Sequence, residues 1–272
     1  MVKMPVNQFK QALRHGAPQI GLWMGLANAA AAELLAGCGF DWLLIDAEHS
    51  PNDVRTVLEQ LQAVAAYPVH PIVRPPTGAV EIIKQYLDVG VQTVLVPMVE
   101  TAEQAALMVA ATRYPPRGVR GVASATTRAS RFGRIDRYFE QADAEMCVLV
   151  QVESVKGLEN LEAIAAVEGV DGIFFGPADL AASMGSLGKP EEPKVKGAIS
   201  EGIARVLRTG KAAGILASDR ALARDYLTMG ARFVAVGIDT ALLAKAASEL
   251  AAAFKADPPL TPGGGSAPRD VM

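Results

Sequence analysis

The fold is decided by a unit that is first seen in full at residues 42–66, WLLIDAEHSPNDVRTVLEQLQAVAA. The unit starts with an apolar run of strand length, WLLI, and closes with a segment whose apolar residues recur at helical spacing. Between the two lie Asp46, Glu48 and His49, crowded at the point where the strand should end. The unit therefore predicts a buried strand, a polar connection and a helix, in that order.

The same unit recurs along the chain. Strand-length apolar runs lie at residues 19–24, 42–45, 71–74, 93–96, 146–152, 172–175, 214–217 and 233–236. Segments at helical period lie between them, and several of these end on a glycine where a helix C-cap would fall. Eight strand–helix units in a chain of this size predict one (β/α)8 TIM barrel domain over residues 1–255. A doubly wound sheet is the alternative, because alternation alone does not separate the two.

Composition narrows the class of ligand. The 272 residues are 50% hydrophobic and carry a net charge of −3, so the chain has no basic field to hold nucleic acid. Cys38 and Cys147 stand far apart and predict two small buried apolar residues rather than a disulfide or a zinc site. The chain shows no secretory signal and no membrane-spanning run, which predicts a cytoplasmic protein. The tail, residues 256–272, is rich in Pro, Gly and Ser and predicts disorder.

In a barrel of this kind the active site forms at the C-terminal ends of the strands. Polar side chains stand at four such ends: Asp46, Glu48 and His49 after the second strand, Arg74 after the third, Gln151 and Glu153 at the fifth, and Asp179 after a Gly-Pro turn that follows the sixth. We therefore expect these side chains to share one site.

Glu153 and Asp179 predict a cation site. Gln151 and Glu153 stand two apart and share one face of their strand, and an inward-facing Glu is costly unless it is paired or bound to metal. A second carboxylate, Asp179, arrives from the adjacent strand. Oxygen ligands without nearby Cys or His favour Mg²⁺ or Mn²⁺ over structural zinc. The alternative is that both acids sit at helix N-termini, where the helix dipole favours them.

His49 and Arg74 have a chemical and a structural interpretation each. A histidine beside two acids fits a general base, whereas alone it could be a strand-end residue bonded to backbone. Arg74 lies among Pro71, Pro75 and Pro76, which stiffen its backbone and suit a fixed positive charge rather than a solvated one.

Seven phrases together resemble the HpcH/HpaI family of metal-dependent pyruvate aldolases. They are LLIDAEHSPND, PIVRPP, VLVPMVE, RYPPRGVRG, VLVQVES, GVDGIFFGPADLAASMG and FVAVGIDTALL. The resemblance covers residues 7 to 255 and is nearest to the aldolases that cleave 4-hydroxy-2-oxoheptane-1,7-dioate. It implies a (β/α)8 barrel whose last helix is swapped between protomers, in a hexamer built from dimers.

The resemblance also implies roles for individual residues. Glu153 and Asp179 would hold the metal (Mg²⁺, Mn²⁺ or Co²⁺), and His49 would be the base, with Asp88 as the acid that raises its basicity. Arg74 would stabilise the developing oxyanion. The pyruvate half would contact Gln151, the backbone at Ala178 and the turn at Gly176, and Asp46 would fix the turn or the imidazole. Glu48 is given no role.

The reaction expected from these parts is retro-aldol cleavage of a 4-hydroxy-2-oxo acid to pyruvate and an aldehyde, with succinic semialdehyde as the best-matching aldehyde. A 2-keto-3-deoxy sugar-acid aldolase, a citramalyl-CoA-type lyase, a Schiff-base aldolase using Lys156 and a non-catalytic 2-oxo acid binder are the alternatives. Asp239, at the start of the last helix, predicts unphosphorylated substrates, because its charge would repel an anion there.

The aldehyde half is the part of the substrate that the sequence places least well. Leu216, at the end of the seventh strand, and the loop from Arg117 to Arg131 are the candidates for contacting it. Five arginines fall between residues 113 and 131, and we interpret them as surface charge and subunit salt bridges rather than a carboxylate clamp.

Overall fold

The computed structural model describes residues 2–256. The tail predicted to be disordered therefore lies outside the described residues, apart from Ala256 at the end of the last helix.

Eight parallel strands close into a barrel in sequence order, which confirms the (β/α)8 prediction and excludes the doubly wound sheet. The strands are β1 (Gln19–Met24), β2 (Trp42–Asp46), β3 (His70–Arg74), β4 (Thr93–Val96), β5 (Cys147–Val152), β6 (Val170–Phe175), β7 (Ala212–Leu216) and β8 (Phe233–Ile238). Each strand lies within two residues of its predicted bounds. Closure is completed by the pairing of β1 with β8, where Gln19 aligns with Phe233.

Successive side chains of each strand point to opposite sides of the barrel wall, so the protein has two hydrophobic cores, one inside the barrel and one between the barrel and the helices. One set of side chains fills the barrel, including Trp42, Leu44, Ile72, Leu149 and Phe233, while the other set packs outward against the helices. Along β2 every second side chain points inward, as Trp42 and Leu44 do. Asp46 lies two residues after Leu44, so its side chain also points inward, at the mouth of the barrel. The same parity places Arg74 of β3, Gln151 of β5 and Leu216 of β7 in the uppermost interior layer.

Glycine makes room for the aromatic rings inside the barrel. A Cβ at Gly21 would lie 2.1 Å from Cε2 of Trp42, and one at Gly214 would lie 2.3 Å from Cε2 of Phe233. Helix α1 (Gln8–His15) closes the end of the barrel at which the strands begin, because Phe9 stacks on His70 there and packs edge-to-face on Trp42 and Phe233. The opposite end stays open.

The other helices follow the strands. They are α2 (Ala29–Ala36), α3 (Val54–Ala63), α4 (Val80–Asp88), α5 (Ala102–Ala111), α6 (Tyr138–Gln141), α7 (Val155–Glu159), α8 (Leu161–Ala165), α9 (Pro177–Ser183), α10 (Pro193–Arg208), α11 (Arg220–Thr228) and α12 (Asp239–Ala256). The segment at residues 158–169 has the apolar spacing of a helix but is broken at Asn160. The Asn160 amide donates to the backbone oxygen of Glu100 at 2.8 Å and separates α7 from α8.

Helix α12 is exposed along nearly its whole length. Residues 240–255 are all exposed, and its apolar side chains Leu242, Leu243, Leu250 and Phe254 are between 51% and 71% exposed. None of the helices within residues 2–256 is long and apolar enough to span a bilayer.

Two expectations about single residues are wrong. Cys147 is buried inside the barrel, but Cys38 is exposed, because it follows α2 at the surface turn. Arg120 is fully buried instead of carrying surface charge. Its guanidinium lies 4.6 Å over the Tyr114 ring and donates to the Tyr138 hydroxyl at 3.2 Å, so this arginine organises the otherwise irregular loop between α5 and α6.

Candidate active site

A cavity of about 400 Å³ opens at the C-terminal ends of the strands. It is lined by most of the side chains that the sequence singled out: Asp46, His49, Arg74, Gln151, Gly176, Ala178, Asp179 and Leu216. Glu153 lies directly beside it, hydrogen-bonded to Gln151. The predicted residues are thus gathered at one site, with Asp88 as the exception.

Arg74 is fixed by a bidentate ion pair. Its Nε donates to Asp46 Oδ1 at 2.9 Å and its Nη2 donates to Asp46 Oδ2 at 2.7 Å, and both side chains are almost fully buried. Asp46 and Arg74 are direct neighbours across β2 and β3, which explains the pairing. The guanidinium also lies 4.7 Å over the ring of Trp23, whose indole N–H donates to Asp46 at 3.2 Å. Arg74 is therefore a rigid positive charge in the cavity wall.

Asp46 also shapes the turn that carries His49. Its Oδ1 accepts from the backbone N–H of Glu48 at 3.0 Å and of His49 at 3.4 Å, while its own carbonyl accepts from the Asn52 amide at 2.6 Å. Desolvation opposes ionisation of Asp46, but Arg74 and these N–H donors outweigh it and lower the pKa of the carboxyl. Asp46 thus fixes the turn and does not touch the imidazole.

Glu48 is a site residue that the sequence left without a role. Its Oε2 lies 2.9 Å from Arg74 Nη1 and 3.7 Å from His49 Nε2, so it bridges the two residues assigned to catalysis. Burial raises the pKa of Glu48 despite the pull of Arg74. The signal that could have revealed Glu48 is its place two residues beyond Asp46 at a strand end, beside an arginine on the next strand.

Glu153 is a buried carboxylate that forms no ion pair with a Lys, Arg or His side chain of residues 2–256. The backbone N–H of Met98 donates to its Oε1 at 2.8 Å, and the Gln151 amide donates to its Oε2. Burial raises the pKa of Glu153 to about 7, and the charges of Asp179 and Glu48 add to the rise. A Cβ at Gly176 would lie only 2.3 Å from Glu153 Oε2, so glycine at that turn is required by the carboxylate.

Asp179 reaches the cavity from the first turn of α9. Pro177 occupies the start of this helix, where its missing N–H costs nothing, and Ala178 and Asp179 follow with their backbone at the cavity wall. Within residues 2–256, no three or more His, Cys, Asp and Glu side chains converge as a metal-binding group. The protein therefore brings two carboxylates, Glu153 and Asp179, and the Gln151 amide to this spot.

The His49–Asp88 dyad implied by the resemblance stays a prediction, because Asp88 and His49 lie apart within one chain. Asp88 ends α4, and a helix that follows β3 runs back towards the end of the barrel where the strands begin. Asp88 Oδ1 lies there, 3.7 Å from Arg120 Nη2. A His49–Asp88 pair would need a second copy of the chain.

Lysine is absent from the cavity wall in the part of the chain that the structure describes. Lys156, the candidate for a Schiff base, is half exposed and pairs with Glu100 at 3.1 Å. A desolvated amine is what that chemistry requires, so the alternative has no support in the geometry.

Further residues complete the cavity. Trp23, Phe174, Ser50 and Thr240 line it, and Trp23 packs on Phe174 with ring centroids 5.6 Å apart. Strand parity could have placed Trp23 and Phe174 inside the barrel. Asp239 accepts from the backbone N–H groups of Gly25, Leu26 and Thr240 at 2.7–3.1 Å. The exclusion of phosphorylated substrates by Asp239 stays a prediction.

Comparison with known proteins agrees with this geometry. Residues 19–246 match the model of the HpcH/HpaI aldolase/citrate lyase family. The chain belongs to this family. Hydroxypyruvate/pyruvate aldolase of Paraburkholderia phytofirmans is 63% identical over 254 residues, which cover 93% of the chain and 95% of the relative. 4-Hydroxy-2-oxo-heptane-1,7-dioate aldolase of Salmonella heidelberg is 57% identical over 255 residues, which cover 94% and 97%.

Solved structures place the fold in the same HpcH/HpaI family. A family member from Burkholderia cenocepacia superposes with a TM-score of 0.89 at 43% identity, covering 92% of the chain and all of that structure. An HpcH/HpaI aldolase from Desulfitobacterium hafniense superposes with a TM-score of 0.85 at 27% identity, covering 93% and 98%. The predicted class of activity, an aldolase and hence a carbon–carbon lyase, is confirmed.

Proposed function

We propose that the chain cleaves a 4-hydroxy-2-oxo acid reversibly to pyruvate and an aldehyde, with a divalent metal bound by Glu153 and Asp179. The observation that carries the proposal is the buried carboxylate of Glu153, hydrogen-bonded to Gln151 at the edge of the cavity that Arg74 and His49 also line. HpcH/HpaI aldolases of class II generally depend on a divalent metal.

The residues present fit such a metal. Gln151 Oε1 is a buried oxygen without a hydrogen-bond partner among the described residues, and it lies beside the Glu153 carboxylate. Carboxylate and amide oxygens are the donors that Mg²⁺, Mn²⁺ and Co²⁺ accept, and a bound cation would offset the repulsion between Glu153 and Asp179. Two protein carboxylates leave coordination positions for the substrate.

Such a metal, when bound, supplies Lewis-acid polarisation of the substrate's 2-oxo group. The chain's own residues then divide the remaining work. Arg74 donates two hydrogen bonds, from Nε and Nη2, to Asp46, and its Nη1 lies 2.9 Å from Glu48 Oε2 in an ion pair. N–H groups on both Nη atoms are therefore left for the oxygen that gains charge as the bond between C3 and C4 breaks. Arg74 costs no reorganisation in this role, because its ion pairs already hold it.

His49 is assigned to the proton of the C4 hydroxyl. Its side chain is 64% exposed and therefore accessible to substrate, while Glu48 Oε2 lies 3.7 Å from its Nε2. The C4 hydroxyl becomes the aldehyde carbonyl, and the electron pair of the broken bond moves to the pyruvate half. Gln151, Gly176 and the Ala178 backbone would hold that half.

We further propose a homohexamer, a trimer of dimers, in which α12 is exchanged between protomers. The support is the row of exposed apolar side chains on α12 (Leu242, Leu243, Leu250 and Phe254), together with the exposed Leu34 of α2. A helix so apolar and so exposed needs a covering surface, and a second barrel provides one.

The test of the function is pyruvate release from 4-hydroxy-2-oxo acids, measured with lactate dehydrogenase. We expect EDTA to abolish the activity and Mg²⁺, Mn²⁺ or Co²⁺ to restore it. Glu153→Ala and Asp179→Ala should each weaken metal binding steeply, measured by calorimetry, whereas Glu59→Ala, an exposed acid on α3, should not. Full activity in excess chelator would contradict the metal assignment, and release of no pyruvate from any 4-hydroxy-2-oxo acid would contradict the function.

A further inference from the structure

A basic cavity lies at the end of the barrel that α1 closes, opposite to the active site. Its volume is about 420 Å³, and it is bounded by α1, the turn after α5 and the residues that lead into β6, β7 and β8. Its lining contains two acids, Glu168 and Asp171, and five cations, which are Lys10, Arg14, Arg113, Lys211 and Arg232. The lining therefore carries a net charge of three positive, whereas the whole chain carries −3.

Most of these cations lack a carboxylate partner. Within residues 2–256, four of the five form no ion pair with an Asp or Glu side chain, namely Arg14, Arg113, Lys211 and Arg232. Lys10 lies 3.6 Å from Asp171. The helix dipole accounts for Arg14, in the last turn of α1, but not for Lys211 and Arg232, which directly precede β7 and β8. Because like charges repel, a bound anion would stabilise this arrangement.

Backbone carbonyls hold two of the cations in place. Lys211 Nζ donates to the Val170 carbonyl at 2.7 Å, and Arg232 Nη1 donates to the Leu13 carbonyl at 3.1 Å. An ammonium has three N–H donors and a guanidinium has five, so both groups keep donors for a ligand. The carbonyls thus fix the positions of these charges without neutralising them.

Two glycines let the guanidinium groups lie against the backbone. A Cβ at Gly169, whose φ is 97°, would lie 2.7 Å from Arg113 Nη2, and one at Gly16, whose φ is 83°, would lie 3.0 Å from Arg232 Nη1. Arg113 and Arg232 are accordingly half-buried. A ligand meets these two charges without having to order freely moving side chains, which lowers the cost of binding.

The charge and size of the cavity indicate the class of ligand. Guanidinium groups donate paired hydrogen bonds to phosphate and to carboxylate. A phosphoryl group brings about 1.5 to 2 negative charges and three acceptor oxygens at pH 7, whereas a carboxylate brings one charge and two oxygens. The volume of about 420 Å³ is of the size that small-molecule sites have, so an organic group or a second phosphoryl group fits beside the first.

We propose that this cavity is an anion site for a small organic phosphate, bound by Arg14, Arg113, Lys211 and Arg232. A bisphosphate is preferred to a monophosphate, because the lining has three positive charges in excess. The site lies at the other end of the barrel from Glu153 and Asp179, so its ligand and pyruvate bind without competing. The proposal stands independently of the reaction proposed for the active site.

The test is titration calorimetry of the full chain with fructose 1,6-bisphosphate, glycerol 3-phosphate and the tricarboxylate tricarballylate, at low ionic strength. Pyruvate and Mg²⁺ are present at equal concentration in cell and syringe, so that the active site is in the same state throughout. We expect one bisphosphate per chain with a Kd below about 1 mM, and binding of the other two that is weaker by about tenfold. No binding of either phosphate, or tricarballylate binding as tight as that of the bisphosphate, would overturn the proposal.

Three variants locate the binding. Arg113→Gln and Arg14→Gln each remove one cation from the cavity without breaking an ion pair within residues 2–256, and each should weaken bisphosphate binding by about tenfold. Arg55→Gln removes the same charge from an exposed position on α3, outside the cavity, and should leave the Kd unchanged. A wild-type Kd in both cavity variants, with thermal unfolding like that of the wild type, would place the ligand elsewhere and overturn the site. An equal loss in Arg55→Gln would assign the binding to overall charge, which also overturns it.

Discussion

At the scale of single residues, the site depends on one guanidinium shared by two carboxylates. Arg74 donates hydrogen bonds from Nε and Nη2 to Asp46, and its Nη1 forms an ion pair with Glu48. Truncating Arg74 to Ala would leave both acids without their cation, and removing one partner of a buried pair costs about 3–5 kcal/mol. Arg74→Lys is therefore the more informative variant, because it keeps the positive charge and loses the planar guanidinium that makes two hydrogen bonds to one carboxylate.

Two variants separate the roles of Arg74 and His49. Pyruvate alone loses a methyl proton to solvent through the same enolate that cleavage generates, so deuterium exchange reports enolate stabilisation without an aldehyde. We expect Arg74→Lys to depress exchange and cleavage together, by about 10²-fold if Arg74 acts like other oxyanion donors. His49→Ala should slow cleavage by about 10²–10⁴-fold and exchange much less, because pyruvate lacks the C4 hydroxyl. Equal losses in exchange and cleavage for His49→Ala would assign His49 to the enolate as well.

Gly176 gives a steric prediction. In Gly176→Ala the new Cβ would approach Glu153 Oε2 to 2.3 Å and Gln151 Nε2 to 3.0 Å, so the carboxylate has to move. We expect metal affinity, measured by calorimetry, to fall by at least about tenfold, as for other disturbed ligands. Gly197→Ala in α10 is the matched control, since nothing lies within 4 Å of its Cβ, and it should leave metal affinity unchanged. Wild-type affinity in Gly176→Ala would show that Glu153 has freedom to shift.

At the scale of elements, the site is assembled by strand ends and one helix start. β2 and β3 bring Asp46 and Arg74 side by side, β5 brings Gln151 with Glu153 just beyond its end, and α9 brings Asp179. α12 contributes no residue beyond its first turn to the cavity in the described chain, because only Thr240 of this helix lines it.

We expect charged substitutions on the exposed apolar face of α12 to weaken assembly of the oligomer. Leu250 and Phe254 are 63% and 71% exposed, so charging them should not harm a lone barrel. We expect Leu250→Asp with Phe254→Asp to reduce the oligomer measured by light scattering after gel filtration, because the buried apolar surface between protomers would become charged. Glu249→Gln, on the same helix, should keep the wild-type mass. A wild-type mass in the double variant would contradict the exchange of α12.

At the scale of the whole molecule, the two ends of the barrel have different tasks. The end where the strands begin is filled by Phe9, Trp42 and Phe233, and the opposite end carries the charges of the site. His70 belongs to the closed end. It stacks on Phe9 with ring centroids 5.5 Å apart, and its Nε2 lies 2.7 Å from the Thr93 hydroxyl.

His70 predicts acid sensitivity of the fold. Burial lowers the pKa of His70 from 6.5 to about 4, so the folded chain binds fewer protons there than the unfolded chain. Its contribution to stability is therefore complete above pH 6.5 and is lost as the pH falls towards 4. Because the ring is partly accessible, we expect the free energy of unfolding to fall by about 1–2 kcal/mol, which is less than the whole pKa shift would give. Urea unfolding of the wild type and of His70→Gln at pH 7 and pH 5 measures this loss. An equal pH dependence of stability in the two proteins would show that His70 does not cause the acid sensitivity.

The sequence by itself determined the eight strand–helix units and most of the residues of the site, whereas the closure of the strands into a barrel was decided by the pairing of β1 with β8. Strand-length runs alternate with helical segments, and parallel strands place their polar ends at one edge, so the sequence alone assigns Asp46, Arg74, Gln151 and Asp179 to one site. These features are local in sequence, because the period of two along a strand decides which side chains face inward.

Only the tertiary structure decided which charges touch. Asp88 and His49 could be paired by resemblance, but the direction of α4 carries Asp88 to the closed end of the barrel, beside Arg120. Glu48 gained a partner only when β2 and β3 came into register and set Arg74 against it. Arg120 became a core residue because Tyr114 and Tyr138 close around it. Such contacts join residues far apart along the chain, and a charge's effect depends on its neighbours in space and its burial, which no local pattern encodes.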